Sequence, residues 1–225
     1  GENHLRIEGA FIQYSEETDY YYMFLSFGGL ASDGGYNIRV CRSKNPDGPY
    51  YDTAGNDMIN CKGPAGTFFN DGAASKYGAK LMGNFHWNFV SGEEKTLRAG
   101  YVSPGHNSTI YQKETGKYFI IFHTRFENRG EMHQVRVHQM FLNEDGWFVI
   151  APYRYTGETI GSYTEDDIVG AYKLINHGRD ISKFVKKSVN VVLQEDHTII
   201  GDVHGTWELK GDNTCILTID GKEYK

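Results

Sequence analysis

Short runs of aromatic and β-branched residues, separated by glycine-containing turns, recur through residues 1–157 and constrain the fold more than any other feature of the sequence. Most runs are about five to ten residues long, which is the length of strands and not of helices. Turn signals such as Asp33-Gly34-Gly35 and Asp145-Gly146 separate them. We therefore predict an all-β chain of antiparallel strands. The predicted strands are 7–14, 20–27, 36–42, 80–85, 97–102, 108–112, 117–125, 134–143 and 148–151.

An internal repeat indicates how these strands are arranged. Residues 20–42 and 118–140 can be aligned with an offset of 97 or 98, which places Phe24 on Phe122 and Glu8 on His106. Repeated strand-turn-strand units of this kind are typical of the blades of a β-propeller. The offset exceeds a blade repeat of roughly 40–50 residues, so either a third unit lies between the copies or the outer part of the first copy is extended. We favour the extension.

The sequence changes character after Tyr155, where aromatic residues become fewer and a polar connector follows. We place a domain boundary near residue 160, which gives propeller blades in residues 1–160 and a second domain in residues 161–225. Strands are predicted at 188–193, 198–201, 205–209 and 214–219, which favours a small β-barrel or sandwich. The hairpin signal Asp220-Gly221 stands close to Lys225, so we expect this second domain to be incomplete.

Charge, hydropathy and cysteine content exclude several classes of protein. The chain has 23 Lys and Arg against 29 Asp and Glu, with a net charge of −6, whereas a protein that binds nucleic acid needs a concentrated basic face. No run of 18 apolar residues is present, so we predict no membrane-spanning segment. The three cysteines show no CxxC spacing, which indicates neither a zinc site nor a dense disulfide framework.

Glu8 is the first candidate for chemistry. The period of two in a strand places it on one face with Ala10, Ile12 and Tyr14. A carboxyl group on such an apolar face would be desolvated and could serve as a general acid near neutral pH. The alternative is an ordinary strand-end glutamate in solvent.

Two further polar residues, His106 and Arg125, are candidates for a functional site. His106 opens the strand of the second copy, where it would face the same axis as Glu8; it could pack through hydrogen bonds, bind a metal or contact a substrate. Arg125 ends the predicted strand 117–125, where its planar guanidinium could clamp sugar hydroxyls or hold a carboxylate in its charged form, or could be an ordinary surface arginine. The remaining histidines, including His86, His123, His133 and His138, lack HxxxH spacing and are given no role.

A series of ordered motifs resembles the second half of the arabinanases of glycoside hydrolase family 43. The motifs run in the same order through residues 7–155, and residues 170–225 are similar to the start of the extra C-terminal β-barrel domain of the larger endo-arabinanases. The motifs include Ile7-Glu8-Gly9-Ala10-Phe11-Ile12, Tyr36-Asn37-Ile38-Arg39-Val40-Cys41-Arg42, Gly48-Pro49-Tyr50-Tyr51-Asp52, Gly105-His106-Asn107-Ser108, Phe122-His123-Thr124-Arg125-Phe126, Val135-Arg136-Val137-His138-Gln139-Met140 and Ala151-Pro152-Tyr153-Arg154-Tyr155.

The resemblance implies a five-bladed β-propeller and an inverting glycosidase that cleaves internal α-1,5 linkages of arabinan. It implies that Glu8 is the general acid, that His106 is associated with an axial ion, usually calcium, and that Arg125 lies near a sugar subsite. Calcium prefers oxygen ligands, so His106 would be one member of a shell otherwise filled by water. The same resemblance leads us to expect a secreted or extracytoplasmic protein.

The sequence departs from the family pattern at its N-terminal end. In the family, the Asp base and a second Asp that tunes the acid precede the motif that contains Glu8, and here only residues 1–7 precede it. We therefore expect the chain to be the C-terminal part of a larger enzyme that acts together with an N-terminal fragment supplying the base. Two alternatives stay open: a carbohydrate-binding propeller without catalysis, and an exo-acting arabinofuranosidase or xylosidase of the same family.

Overall fold

The protein, described by a computed structural model over residues 5–67, 69–93 and 99–225, is an all-β fold of three sheets. This confirms the predicted all-β class. None of the helices in these ranges is long and apolar enough to cross a bilayer. The strands are β1 Ile7–Ser15, β2 Tyr20–Phe27, β3 Asn37–Ser43, β4 Ala79–Met82, β5 Phe85–His86, β6 Gly100–Gln112, β7 Lys117–Arg125, β8 His133–Leu142, β9 Phe148–Ile150, β10 Gly170–Leu174, β11 Lys186–Lys187, β12 Val189–Leu193, β13 Thr198–Gly201, β14 Gly205–Lys210, β15 Thr214–Ile219 and β16 Lys222–Tyr224.

The first sheet has the order β1-β2-β3-β4, with every neighbouring pair antiparallel. Strand β4 pairs with β3 although 35 residues separate them, and the described part of residues 44–78 holds only a 3₁₀ helix, Met58–Asn60, and the short helix α1, Asp71–Ala74. The long segment before β4 therefore extends the outer part of the first sheet, as the favoured extension predicts.

The second sheet has the order β11-β5-β6-β7-β8-β9. The predicted strand 80–85 is wrong as a single element, because the chain leaves the first sheet after Met82 and enters the second at Phe85. The predicted strands 97–102 and 108–112 are joined in β6, which is one strand with two irregularities. Residues 97 and 98 of the first of them lie outside the described residues.

The main core lies between the first two sheets. Alternate residues of β2, β3, β7 and β8 point into it, and they are aromatic or aliphatic because burying apolar area is the main favourable term in packing two sheets. Its buried members are Tyr22, Phe24, Ile38, Val40, Met82, Phe85, Tyr101, Tyr118, Ile120, Phe122, Met140 and Phe148. Phe24 and Phe122, which the repeat aligns, thus lie in one core.

The third sheet is formed by the C-terminal residues in the order β10-β12-β13-β14-β15-β16 and has a core of its own around Trp207. All its pairs are antiparallel. Lys222–Tyr224 pairs with β15, so a paired strand follows the hairpin turn at Asp220-Gly221. The expected incompleteness of the second domain stays a prediction. Along the described strands β10 and β16 are the two edges, and they do not pair with each other.

A segment that we call the strap, residues 175–188, runs from the C-terminal sheet back onto the first two. Within it, β11 pairs in parallel with β5. The buried Nζ of Lys80 donates to the carbonyl oxygens of His177 (2.9 Å) and Asp180 (2.7 Å), and Asn84 donates to that of Lys183 (3.1 Å). The sequence pattern predicts neither β10 nor β11.

The strap is held by a buried cation as well. Arg39 is completely buried; its Nη2 donates to the carbonyl of Arg179 in the strap at 2.5 Å, and its Nε donates to Asn37 at 2.9 Å. Burial lowers the pKa of Arg39 to about 10 and that of Lys80 to about 8. Each of these two desolvated cations donates to at least one strap carbonyl, which makes the contact specific.

Candidate active site

Glu8 lies on β1, an edge strand of the first sheet. The predicted alternation along β1 is observed, since Ile7, Gly9 and Phe11 are partly buried while Glu8 and Ala10 are exposed. The exposed face is the one that carries Glu8, so the expectation of a desolvated carboxyl is wrong for this chain. The exposure fits the position of β1, which has a strand neighbour on one side only.

Tyr36 holds the Glu8 carboxylate. Its hydroxyl donates to Glu8 Oε1 at 2.5 Å, and the tyrosine itself is completely buried. Burial, and next the hydrogen bond to Glu8, raise the pKa of Tyr36 well above its usual value, so the phenol keeps the proton that it donates. Gly105 makes room for the ring, because a Cβ there would lie 2.2 Å from Tyr36 Cε1. Sequence reasoning missed Tyr36, although it directly follows the turn Asp33-Gly34-Gly35.

His106 lies beside Gly9, the residue after Glu8, at a point where both strands are irregular. The β1 register shifts between Glu8 and Phe11, with Gly9 at φ +64°, and the β6 register shifts on either side of Gly105, with His106 at φ +47°. Such bulges redirect side chains at functional sites. An ideal Cβ on Gly9 would lie 3.7 Å from the Cα and Nδ1 atoms of His106. His106 therefore lies beside Gly9, and it is linked to Glu8 through His123 and Tyr36. That Glu8 and His106 face one axis stays a prediction.

Two histidines that sequence reasoning left without a role join this cluster. His123 stacks between Tyr36 (5.8 Å between ring centroids) and His106 (6.3 Å), and His133 packs edge-on against it at 5.5 Å. Nδ1 of His123 is buried and has no hydrogen-bond partner within the described ranges. Burial lowers the pKa of His123, and the nearby Arg125 lowers it further, so the ring is neutral at pH 7. Pairing of Gly105 with His123 across β6 and β7 is what places it here.

Arg125 is buried at the end of β7, with 4% of its surface exposed. The alternative of an ordinary surface arginine is therefore wrong. Nε donates to Glu131 Oε2 at 2.8 Å, whereas Nη1 is buried without a partner among the residues that the structure describes. A buried cation with an unused donor beside a carboxylate and a histidine cluster can bind a polar ligand group.

The other histidine that the strands bury has a structural role. His138 is completely buried in β8; its Nε2 lies 2.8 Å from the hydroxyl of Tyr101 and its Nδ1 lies 2.8 Å from the carbonyl oxygen of Ala151. Both ring nitrogens are thus used in packing.

The residues near His106 do not by themselves make a calcium site. Over the ranges 5–67, 69–93 and 99–225 no group of three or more His, Cys, Asp or Glu side chains is arranged to hold a metal ion. The side chains stacked nearest to His106 offer ring nitrogens, while calcium prefers oxygen ligands. Any calcium bound through His106 would need most of its ligands from water or from outside this chain.

Sequence comparisons assign the two parts of the chain to described families. A profile described as glycosyl hydrolases family 43 matches residues 3–148, and one described as a C-terminal lipocalin-like domain matches residues 152–225. The first match covers the candidate site. The gap between the matches, residues 149–151, lies about ten residues before residue 160. The domain boundary near residue 160 stays a prediction.

Two curated proteins are similar over nearly the whole chain. An extracellular endo-α-(1→5)-L-arabinanase 2 of Bacillus subtilis (strain 168) is 54% identical over 224 residues, which cover 100% of this chain and 47% of that protein. An extracellular endo-α-(1→5)-L-arabinanase of Thermotoga petrophila is 54% identical over 224 residues, which cover 98% of this chain and 45% of that protein. The chain thus spans about half the length of the curated relatives it matches.

Solved structures give the same result for the fold. A family 43 glycoside hydrolase from Bacillus licheniformis has a TM-score of 0.92 at 54% identity, and the match covers 99% of this chain and 48% of that one. An endo-1,5-α-L-arabinanase from Thermotoga petrophila has a TM-score of 0.87 at 54% identity, covering 96% of this chain and 46% of that one.

Proposed function

The chain belongs to family 43 of the glycosyl hydrolases, and from this premise we propose that it is part of an endo-arabinanase that cleaves internal α-1,5-L-arabinofuranosyl linkages of arabinan. The observation that carries the proposal is the 54% identity, over essentially the whole chain, to two proteins from different genera that are both named endo-arabinanases. Both are also named extracellular, which supports a secreted protein. Arabinan or an arabino-oligosaccharide is the proposed substrate.

The proposed active enzyme is about twice as long as this chain, as its curated relatives are. In it, the sheets β1-β4 and β5-β9 are two blades of a five-bladed propeller, and an N-terminal part supplies the others. The sequence repeat and the shared core of the two sheets support this arrangement. The same N-terminal part covers the exposed outer face of β1, so that Glu8 faces an enclosed cleft instead of solvent.

Glu8 is the proposed general acid of an inverting mechanism. Its carboxyl group hands a proton to the departing glycosidic oxygen, while an Asp of the N-terminal part activates water on the opposite face of the sugar, about 6.5–9.5 Å away. The Tyr36 hydroxyl, bonded to Oε1, keeps the carboxyl group in one orientation. The unused Nη1 of Arg125 binds a sugar hydroxyl.

The test of this function uses the whole enzyme with linear arabinan as substrate. Glu8→Gln removes the acid without changing side-chain size, so release of reducing ends should fall by about 10²–10⁴-fold. Glu16→Gln, at an exposed glutamate in the turn that follows the same strand, should retain wild-type activity. A wild-type rate in Glu8→Gln would refute the proposed acid, and an inactive wild type would refute the proposed substrate.

Product size distinguishes the proposed endo action from exo action. An endo-arabinanase releases oligosaccharides of several lengths early in the reaction, whereas an exo enzyme releases one short product from the start. Chromatography of the products at a few per cent conversion is the measurement. Release of a single short sugar would replace the endo assignment by an exo assignment within the same family.

Calcium is proposed as a ligand of His106 in the whole enzyme, with the remaining ligands drawn from water or the N-terminal part. A bound calcium would stabilise the folded state in proportion to its affinity. A chelator should then lower the melting temperature of the wild type, and calcium should restore it, while His106→Ala should respond to neither. A melting temperature that is the same with and without chelator would contradict the calcium assignment.

A further inference from the structure

Glu131 links a loop of the first sheet to Arg125 of the second sheet, within the candidate site. It lies in the loop between β7 and β8, and its carboxylate accepts hydrogen bonds from the backbone N–H (3.0 Å) and the hydroxyl (2.6 Å) of Ser32, in the loop between β2 and β3. The same carboxylate accepts the Nε–H of Arg125 at 2.8 Å. The Glu131 carboxylate therefore accepts hydrogen bonds from three donors, two on Ser32 of the first sheet's loop and one on Arg125 of the second sheet.

The loop between β2 and β3, which donates hydrogen bonds to Glu131, continues to Tyr36, the residue that donates to Glu8. Ser103 of β6 donates its hydroxyl to the carbonyl of Ala31 at 2.8 Å, immediately before Ser32. Tyr36, which donates to Glu8, follows four residues after Ser32. Any movement of this loop would be passed on to Tyr36 over a short length of chain.

The bond to Arg125 also sets the direction of the unused donor. A guanidinium group is planar, so fixing Nε fixes the plane in which the Nη atoms lie. Arg125 is 4% exposed, and its Nη1 has no partner within the described residues. A free donor held in a fixed plane is suited to bind one oxygen of a ligand without further loss of side-chain entropy.

We infer that Glu131 is a positioning residue of this site, which holds Arg125 with Nη1 directed at a sugar hydroxyl and fixes the loop that carries Tyr36. The inference rests on the proposed function, because it names the group that Arg125 binds. Glu131 acts through its two neighbours and does not itself touch the substrate. The Glu131 side chain is 60% exposed, so its charge pairs with the buried Arg125 cation from the solvent side.

Glu131→Gln and Ser32→Ala test the inference in the whole enzyme. A glutamine has one acceptor oxygen where the carboxylate has two, so its NH₂ group must face either Ser32 or Arg125, both of which are donors. We expect KM for arabino-oligosaccharides to rise about tenfold with kcat within about threefold, because an interaction used for binding is lost. Ser32→Ala keeps the bond to Arg125 and should raise KM by less.

Glu127→Gln is the matched control, since Glu127 lies in the same loop but pairs with His86 at 2.5 Å. It should leave KM unchanged. A merely structural role of Glu131 would lower the melting temperature without changing KM in the folded enzyme. Wild-type KM in Glu131→Gln, with wild-type activity on arabinan intact, would overturn the inference and leave the proposed function standing.

A second measurement does not depend on activity. Phenylglyoxal modifies accessible arginines, and mass spectrometry locates the modified residue. Releasing Arg125 from Glu131 should increase its modification in Glu131→Gln by about threefold or more, as expected when a group opens more readily to solvent, and Glu127→Gln should leave it unchanged. Unchanged modification of Arg125 in Glu131→Gln would overturn the inference even if arabinan proved not to be the substrate.

Discussion

Single residues at the candidate site are placed by local departures from regular strand geometry. Gly9 and His106 both have positive φ, and both lie where the register of their strands shifts. A non-glycine residue at positive φ is strained, and such strain persists only where surrounding contacts hold it. The backbone N–H of His106 donates to the Ser26 hydroxyl at 2.7 Å, which is one such contact.

Tyr36→Phe tests whether the phenol supports the acid. The change removes the donor to Glu8 Oε1 and keeps the buried ring, so folding should be little affected. Hydrogen bonds to a charged group contribute about 1.5–3 kcal/mol, and we expect kcat of the whole enzyme to fall by roughly tenfold or more. Tyr111→Phe, at the far end of β6, should behave as wild type. Equal rates for the wild type and Tyr36→Phe would show that this bond is not used in the reaction.

His123→Phe tests the neutral imidazole that stacks between Tyr36 and His106. The substitution keeps an aromatic ring in the stack but removes Nδ1, which has no partner within the described residues. If Nδ1 meets the substrate, KM should rise by about tenfold while the melting temperature stays within a few degrees of wild type. His204→Phe, an exposed position, is the control. An unchanged KM would mean that His123 acts only through packing.

The bounds of secondary-structure elements were predicted correctly where the hydrophobic pattern and the turn residues lie close together in the sequence. The bounds of β2, β7, β13 and β15 coincide with the predicted ranges, because each is an apolar or alternating run that ends at a turn. The two lysines of β11 carry no such pattern, and they form a strand only because the edge of β5 is available. The division of residues 79–86 between two sheets likewise depends on which strand edges are near.

Gly35→Ala tests how tightly the strap fits the first sheet. A Cβ on Gly35 would lie 2.7 Å from the backbone N of Ser182 in the strap. Gly116→Ala is a matched control, because both glycines have φ +67° and a Cβ on Gly116 meets nothing within 4 Å. The backbone strain is thus alike in the two variants. We expect Gly35→Ala to lower the free energy of unfolding by about 1–3 kcal/mol more than Gly116→Ala, which is typical of overpacking.

Chemical denaturation of both variants measures that difference. Equal losses of unfolding free energy would mean that the strap can move aside without cost and is only loosely attached. A larger loss in Gly35→Ala would show that residues 175–188 belong to the same cooperative unit as the first two sheets.

At the scale of the whole molecule, the strap joins the C-terminal sheet to the first two sheets. It contains a buried histidine, His177, whose protonation depends on pH. His177 packs edge-on against Phe85 and accepts the backbone N–H of Gly83 through Nδ1 at 3.3 Å. Burial, and then the charges of Lys80 and Lys186, lower the pKa of His177 from 6.5 to about 4. The folded protein therefore holds this ring neutral over a range in which the unfolded chain protonates it.

The sign of the effect on stability follows directly. The contribution of His177 is complete above pH 6.5 and is lost as the pH falls towards about 4, because the unfolded state binds more protons in that window. His177→Asn keeps an acceptor for Gly83 but does not titrate. Between pH 7 and pH 4 the wild type should lose about 1–3 kcal/mol more unfolding free energy than His177→Asn. His204→Gln, an exposed histidine, should follow the wild type, and parallel acid profiles of wild type and His177→Asn would refute the assignment.

The sequence by itself determined the all-β class, most strand positions and the family, because alternation, turn chemistry and ordered motifs are all local in the chain. The roles of Glu8, His106 and Arg125 stay predictions. Only the tertiary structure decided that Glu8 is exposed on an edge strand and held by Tyr36, that Arg125 is buried against Glu131, and that the strap enters the second sheet. These facts depend on which strand edges and side chains meet across separations of up to about a hundred residues. Such meetings depend on packing and desolvation in the folded molecule, which no local pattern records.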